Sequence, residues 1–206
     1  MKIAHVLSST HTGGAERVAL LICERLVAKG HRVTLVSLEE PRGGPLAREF
    51  EAADVRVQRI EKRQGGFDRS LSARILAFFL RSRFDVIHTH NPIPLIYAAG
   101  PARLSGARAV HTKHGPHPDA WQRLMLRRVG AAATHAFVGV SQSVADYALS
   151  IREVARSKVR VITNGTDTSR FKADAAARTI VRAELGLPQD AFVIGTVGRM
   201  ATVKNH

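Results

Sequence analysis

The chain is poor in cysteine, aromatic residues, acidic side chains and long apolar runs, and each shortage excludes a class of protein. A single cysteine, Cys23, among 206 residues has no intramolecular disulfide partner, so a cross-linked secreted scaffold is excluded. Cys23 lies among Leu20, Leu21, Ile22 and Leu26 and reads as a small buried residue. The longest apolar stretches, Val18 to Cys23 and Ile75 to Leu80, fall far below the roughly 20 residues that a helix needs to cross a bilayer. The opening Met-Lys-Ile-Ala-His-Val-Leu turns polar too soon for a secretory signal with its apolar stretch of about 7 to 15 residues. The expected location is therefore cytoplasmic. Aromatics at 5% are thin for the stacking platforms that hold single-stranded nucleic acid.

Positive charge is in excess. Lysine and arginine total 31 against 17 aspartate and glutamate, for a net charge of +14. Such a field draws anionic partners without dictating a fold. The arginines are spread from Arg69 through Arg103 to Arg128 rather than gathered in a tail. Phosphorylated sugars and anionic lipid therefore rank ahead of nucleic acid. With 45% hydrophobic and 23% charged residues and no low-complexity block, the chain can fill a sizeable core. Its length predicts one domain and a remainder.

Short β-branched runs alternate with helical patterns. Lys2 to Ser8 reads as a strand, Ala15 to Ala28 as a helix stopped by Gly30, and His31 to Leu38 as a second strand, completing a βαβ unit. Strands at 55–60, 84–88, 107–112 and 135–140 alternate with helices at 71–80, 94–104 and 120–129. A helix at 143–150 and a strand at 158–162 follow. This alternation predicts an α/β fold, a Rossmann-like parallel sheet with helices on both faces. The turn Asn164-Gly165-Thr166-Asp167 closes a first domain at 1–167. Residues 168–206 are expected to be a linker, a helix near 179–185 and a strand at 191–197 that starts a second, incomplete Rossmann-like domain.

Four segments carry chemistry. Ser8 to Arg17 lies between the first strand and helix, where open α/β sheets face their ligand crevice. Gly13 and Gly14 let a ligand approach the backbone, and free amides at a helix start favour phosphate or carboxylate. The spacing is not GxGxxG, which disfavours a dinucleotide enzyme. An ordinary tight turn accounts for the same residues. Asp85 to Pro92 leaves a central strand; alternation puts His88 and His90 on one face, with His90 and Asn91 near the crevice and His88 a core histidine satisfied by backbone. Thr112-Lys113-His114-Gly115-Pro116-His117 leaves the next strand, and His114 suits hydrogen-bonding or acid/base work near neutral pH. Zinc is disfavoured, because tight tetrahedral sites recruit cysteine or carboxylate at definite spacings. Gly198 to Asn205 supplies Arg199 and Lys204, which can hold a diphosphate from two directions. A solvated basic loop is the plainer reading of that last stretch.

Taken in order, these segments resemble the N-terminal half of the family-four (group 1) glycosyltransferases of the retaining GT-B class. The match rests on Gly13 to Arg17, Asp85 to His90, Thr112 to Gly115, Val140-Ser141, Val161 to Asp167 before Phe171, and Gly198-Arg199 with Lys204-Asn205-His206. The resemblance implies transfer of a hexose-type sugar from a nucleotide-sugar donor to a glycan or lipid-linked acceptor, with retention and without an obligatory metal or other cofactor. It further implies cell-envelope polysaccharide synthesis. By that resemblance Gly13 and Gly14 face the donor, His114 is catalytic, and Arg199 and Lys204 neutralise the departing diphosphate. Glu16, His90 and Asn91 belong to the acceptor side, and Asn164 shapes the interdomain turn.

Such enzymes continue into a second domain with a paired-glutamate motif, which this sequence does not contain. The expectation is part of a longer protein, with little or no transfer activity by itself and a strand edge open to self-association. Arg123, Arg127 and Arg128 at helical spacing are candidates for peripheral contact with an anionic membrane at its inner face. Two other readings predict different behaviour. A GT-B sugar-nucleotide epimerase shares the fold; a basic Rossmann-like binding module for anionic lipid or nucleic acid adheres in a salt-sensitive way without preferring nucleotide sugars.

Overall fold

In the computed structural model, residues 1–38, 44–63, 66–169 and 171–198 are described. They divide into two units, residues 1–165 and 166–206.

Apolar strands too short to stand alone build the first unit by parallel pairing. Strands β1 (Lys2–Leu7), β2 (Arg32–Ser37), β3 (Arg56–Arg59), β4 (Val86–His90), β5 (Arg108–Lys113), β6 (Ala136–Gly139) and β7 (Val159–Val161) form one sheet in the order β3-β2-β1-β4-β5-β6-β7. All six pairings are parallel. Between them run helices α1 (Gly14–Ala28), α2 (Leu46–Ala52), α3 (Leu71–Ser82), α4 (Pro92–Leu104), α5 (Trp121–Ala133) and α6 (Gln142–Ser150).

Alternation sorts the side chains between the two faces. On one face Leu7, Val33 and Leu35 pack with Ala19, Leu20 and Cys23 of α1 and with Leu46 and Phe50 of α2. On the other, Ala4, Val6 and Val36 pack with Leu71, Ile75 and Phe79 of α3 and with Ala98 and Ala102 of α4. Helices thus cover both faces, as strands apolar on both sides require. Helix α5 crosses α4 so closely that a Cβ on Gly130 would lie 2.5 Å from the Leu95 carbonyl oxygen.

Chain direction positions the site. From β1 the chain winds outward through β2 and β3, then returns to place β4 on the other side of β1. The sheet reverses its winding between β1 and β4, and ligands of open α/β sheets bind outside the carboxyl ends of the strands at such a point. The residues following β1, β4 and β5 are the three sequence segments singled out in this unit.

Three expectations change. Strand β4 begins at Val86, two residues later than expected, because pairing with β1 starts at Ile3 against Val86; His90 is therefore a strand residue. Helix α2 was not expected. In the second unit, helix α7 (Ala175–Glu184) starts where Asp174 Oδ1 accepts from the Ala177 amide at 2.9 Å and ends before Gly186 at φ 64°. Residues 191–197, expected as a strand, form no strand, and Phe192, Ile194 and Val197 are exposed. A strand exists by satisfying its backbone on a neighbour, and no described residue of that unit supplies one.

Candidate functional site

The carboxyl edge at the switch point is held together by histidines. His5 of β1 is in register with His88 of β4, and His90, two residues on, shares their face. His5 Nδ1 lies 3.0 Å from His90 Nε2, and His90 Nδ1 lies 3.0 Å from His114 Nε2 in the segment after β5. His88 is satisfied by a side chain, the Thr112 hydroxyl at 2.7 Å, rather than by the expected backbone. Its ring stacks on His90 with centroids 4.2 Å apart. On the opposite face Thr89 Oγ1 contacts His111 Nδ1 at 3.0 Å.

Burial keeps these rings neutral. It pulls His5 and His114 down to about 4, and the neighbouring His117 adds to the effect on His114. His88, His90 and His111 are pushed well below the ordinary imidazole value by burial first, with the neighbouring histidines discouraging a second charge and, at His111, Lys113 and Arg127 adding to the effect. Nitrogens of His5, His88 and His90 come within 4.8 Å of one another, a spacing that could admit a metal ion. The rings of His88 and His90, however, stack face to face instead of converging, and His5 and His90 already share a hydrogen bond. The arrangement suits a hydrogen-bond chain better than a metal centre.

Asn91 joins the segments. At φ 64° and ψ 176° it occupies backbone space that side chains other than glycine avoid, at a cost of about 1–3 kcal/mol. Its amide donates to the Thr112 carbonyl at 3.0 Å. Its Oδ1 accepts from the His114 amide and from His117 Nε2, each at 3.2 Å. Immediately after it, Pro92 opens α4, where a missing N–H costs nothing.

The segment after β5 is fastened from below by buried ions. Arg127 of α5 donates to Glu153 at 2.7 and 2.5 Å, to Asp119 Oδ2 at 2.8 Å and to the His117 carbonyl at 2.7 Å. Lys113 Nζ completes the cluster 3.1 Å from Glu153 and 5.4 Å from the Tyr147 ring centre. Arg127 and Lys113 are 0% and 1% exposed. Burial and the charge of Arg127 lower the Lys113 ammonium, with Glu153 opposing. For Arg127 burial acts downward, yet Glu153 and Asp119 outweigh it and hold the guanidinium up.

This corrects the membrane expectation for Arg127. Desolvated and paired on every side, it offers no charge to a lipid surface. Arg123 remains on the exterior of α5 beside Asp119, and Arg128 turns inward to donate to the Ile151 carbonyl at 2.8 Å. Trp121 and Val129 of the same helix are exposed.

Of the residues singled out in sequence, the structure brings His90, Asn91 and His114 into one cluster. Gly13 caps α1 at the end of the β1–α1 connection, and Gly14 and Glu16 lie in the first turn of α1 at the same sheet edge. Gly13 is extended, with the Glu16 carboxylate folded over the space its Cβ would fill, whereas a Cβ on Gly14 would meet nothing within 4 Å. Arg17 pairs with Glu49 of α2. His90 is fully buried, beneath His114 rather than at the surface. Arg199 and Lys204 lie outside the described residues. His5, His117, Asp119 and Glu153 were given no role, and Arg127, expected as a membrane-facing cation, is instead a buried clamp; a lone histidine in the apolar run Ile3 to Leu7 was the one readable signal.

Comparison with known proteins bears on these segments. Residues 12–170 match Glycosyltransferase Family 4. Over its whole length the chain is 26% identical to the UDP-Gal:alpha-D-GlcNAc-diphosphoundecaprenol alpha-1,3-galactosyltransferase of Escherichia coli, covering 55% of that protein. Over 59% of its length it is 28% identical to the D-inositol 3-phosphate glycosyltransferase of Streptomyces avermitilis, covering 28% of it. Anabaena HepE, crystallised with UDP, superposes with a TM-score of 0.73 at 18% identity, over 90% of this chain and 50% of HepE. A glycosyltransferase from Rickettsia africae gives 0.75 at 18%, over 92% and 50%. These structural likenesses speak for a shared fold. The chain spans about half the length of the Escherichia coli relative.

Proposed function

Because the chain belongs to Glycosyltransferase Family 4, we propose that it forms the acceptor-side half of a GT-B enzyme that transfers a hexose-type sugar from a nucleotide-sugar donor to a glycan or lipid-linked acceptor, with retention. The observation that carries this reading is the gathering of the matched segments after β1, β4 and β5 at the switch point of the sheet. Relatives support the substrate classes: HepE is solved with UDP and with UDP-glucose, and the Escherichia coli relative is named for a diphosphoundecaprenol-linked acceptor.

In the reaction the bond from the sugar's anomeric carbon to the β-phosphate oxygen breaks. The acceptor oxygen bonds to that carbon on the same face, and its proton passes to a donor phosphate oxygen. Gly14, with no protein atom near its missing Cβ, lets the donor reach the amides at the start of α1. His114, kept neutral by burial, hydrogen-bonds the transferred sugar, and Asn91 fixes His114 through its backbone. Glu16 orients the acceptor side. Arg199 and Lys204 balance the charge of the leaving diphosphate, and the proposal requires no metal. By itself the chain turns over little or no donor. In the same reading Trp121 and Arg123 meet the anionic inner face of a membrane when the acceptor is lipid-borne.

Saturation-transfer NMR with UDP-glucose, UDP and unrelated nucleotides tests the reading, since it registers weak binding. Transfer selective for the nucleotide sugar and lost in Gly14→Leu and His114→Ala is expected. Salt-sensitive adhesion to DNA or anionic vesicles with no nucleotide-sugar preference would overturn it.

A further inference from the structure

The chain His5–His90–His114 has a property that none of its members has alone. Three neutral imidazoles carry three ring protons on six nitrogens. Each of the two 3.0 Å contacts, His5 Nδ1 to His90 Nε2 and His90 Nδ1 to His114 Nε2, requires one proton between two nitrogens. Only two arrangements satisfy both contacts. Either every ring is protonated at Nε2, which leaves the third proton on His5 Nε2 and a bare Nδ1 on His114. Or every ring is protonated at Nδ1, which leaves His5 Nε2 bare and puts the third proton on His114 Nδ1. Any mixture sets two N–H groups, or two lone pairs, against each other.

The two ends differ. Among the described residues neither His5 Nε2 nor His114 Nδ1 has a hydrogen-bond partner, and both atoms are shielded from solvent; but His5 is buried outright at the centre of the sheet, whereas His114 is only half-buried and belongs to the segment that leaves the sheet at the crevice. An orphaned N–H in the interior is rarer and costlier than an orphaned acceptor. The second arrangement keeps the bare acceptor deep and puts the unpaired N–H on the half-buried ring beside the crevice, where a ligand can supply its acceptor.

We propose that His5 and His90 are positioning residues that lock His114 in the Nδ1–H tautomer, so that it meets the sugar donor as a hydrogen-bond donor. The ligand role of His114 rests on the function proposed above; the tautomer lock does not. His88 holds the chain in place by stacking on His90 while bonded to Thr112. His117 and Asn91 face His114 from the other side. Of the other buried ionic groups, Lys113, Arg127 and Glu153 form their own cluster, Asp68 pairs with Arg74, and His111 contacts Thr89 on the opposite face.

The whole chain, labelled with 15N-histidine, is examined without ligand at pH 7 by long-range proton–nitrogen correlation, which identifies the protonated nitrogen of each ring. All three rings are expected to carry the proton at Nδ1. Different tautomers among the three, unison at Nε2, or a charged ring among them would overturn the proposal. In His5→Phe the donor to His90 is gone, and the Nε2–H population of His114 should rise. His5→Asn, whose carboxamide nitrogen stands near the place of the lost Nδ1, should restore the Nδ1–H form. An unchanged His114 in His5→Phe would refute the lock, and should that variant not fold, the wild-type reading decides alone. If the lock is observed and nucleotide sugar still fails to bind, the lock stands and the function proposed for His114 falls.

Discussion

Arg127 and Glu153 meet through two hydrogen bonds, 2.7 and 2.5 Å long, with both side chains buried. A buried ion pair contributes little over an apolar isostere, yet removing one partner leaves a stranded charge at a cost of about 3–5 kcal/mol. The partners here are unequal. Without Arg127, Glu153 keeps Lys113; without the Glu153 charge, two buried cations share only Asp119. Glu153→Gln should therefore destabilise the chain more than Arg127→Met, as urea unfolding midpoints would reveal. The reverse order would contradict the charge accounting.

Two glycines separate packing from function. A Cβ on Gly130 would press on the Leu95 carbonyl where α4 and α5 cross, so Gly130→Ala should cost about 1–3 kcal/mol. A Cβ on Gly14 enters open space, and Gly14→Ala should leave thermal stability unchanged or raise it by about 0.4–1 kcal/mol while weakening nucleotide-sugar binding. A stability loss at Gly14 comparable to that at Gly130 would mean that its role is structural.

Asn91→Gly should relieve about 1–3 kcal/mol of backbone strain and lose the hydrogen bonds to His114 and His117, each about 0.5–1.5 kcal/mol. Global stability should change little. The His114 amide should nevertheless exchange its hydrogen faster, because its acceptor is gone. Undiminished protection of that amide would show that Asn91 does not fasten the segment.

Acid should unfold the chain early. His5, His88, His90, His111 and His114 all bind protons less readily folded than unfolded. Above the unfolded value near 6.5 neither state is protonated, and no stability is lost. As pH falls through that value toward 4, only the unfolded chain takes up protons, and each histidine costs up to about 1.4 kcal/mol per pH unit. Denaturant midpoints should drop steeply between pH 6.5 and 5. A flat profile there would mean that the rings are accessible.

The sequence reveals features governed by local pattern and conceals those governed by pairing. Alternation in Arg32–Ser37, the stop at Gly30 and the helix of Leu71–Ser82 follow from near neighbours and were legible. Strand β4 was placed two residues early because Phe84 looks like strand, whereas register with Ile3 decides the start. Helix α2 escaped because it has only two turns and follows a glycine- and proline-rich stretch; Leu46 and Phe50 earn their place through the core. His90, Asn91 and His114 stood out at strand ends. His5 did not, because it reaches His90 across 85 positions, nor did Glu153, which meets Arg127 across 26.

That separation of 85 positions bears on the order in which the protein comes to exist. β1 joins β2 across a single helix, and β4 joins β5 in the same way, whereas joining β1 to β4 closes a far longer loop. Loop closure grows costlier with length and slows folding. On that ground the two flanks of the sheet are expected to form before they join, and the histidine chain closes only when they meet. During synthesis on the ribosome the crevice is thus a late product, absent until most of this unit has emerged.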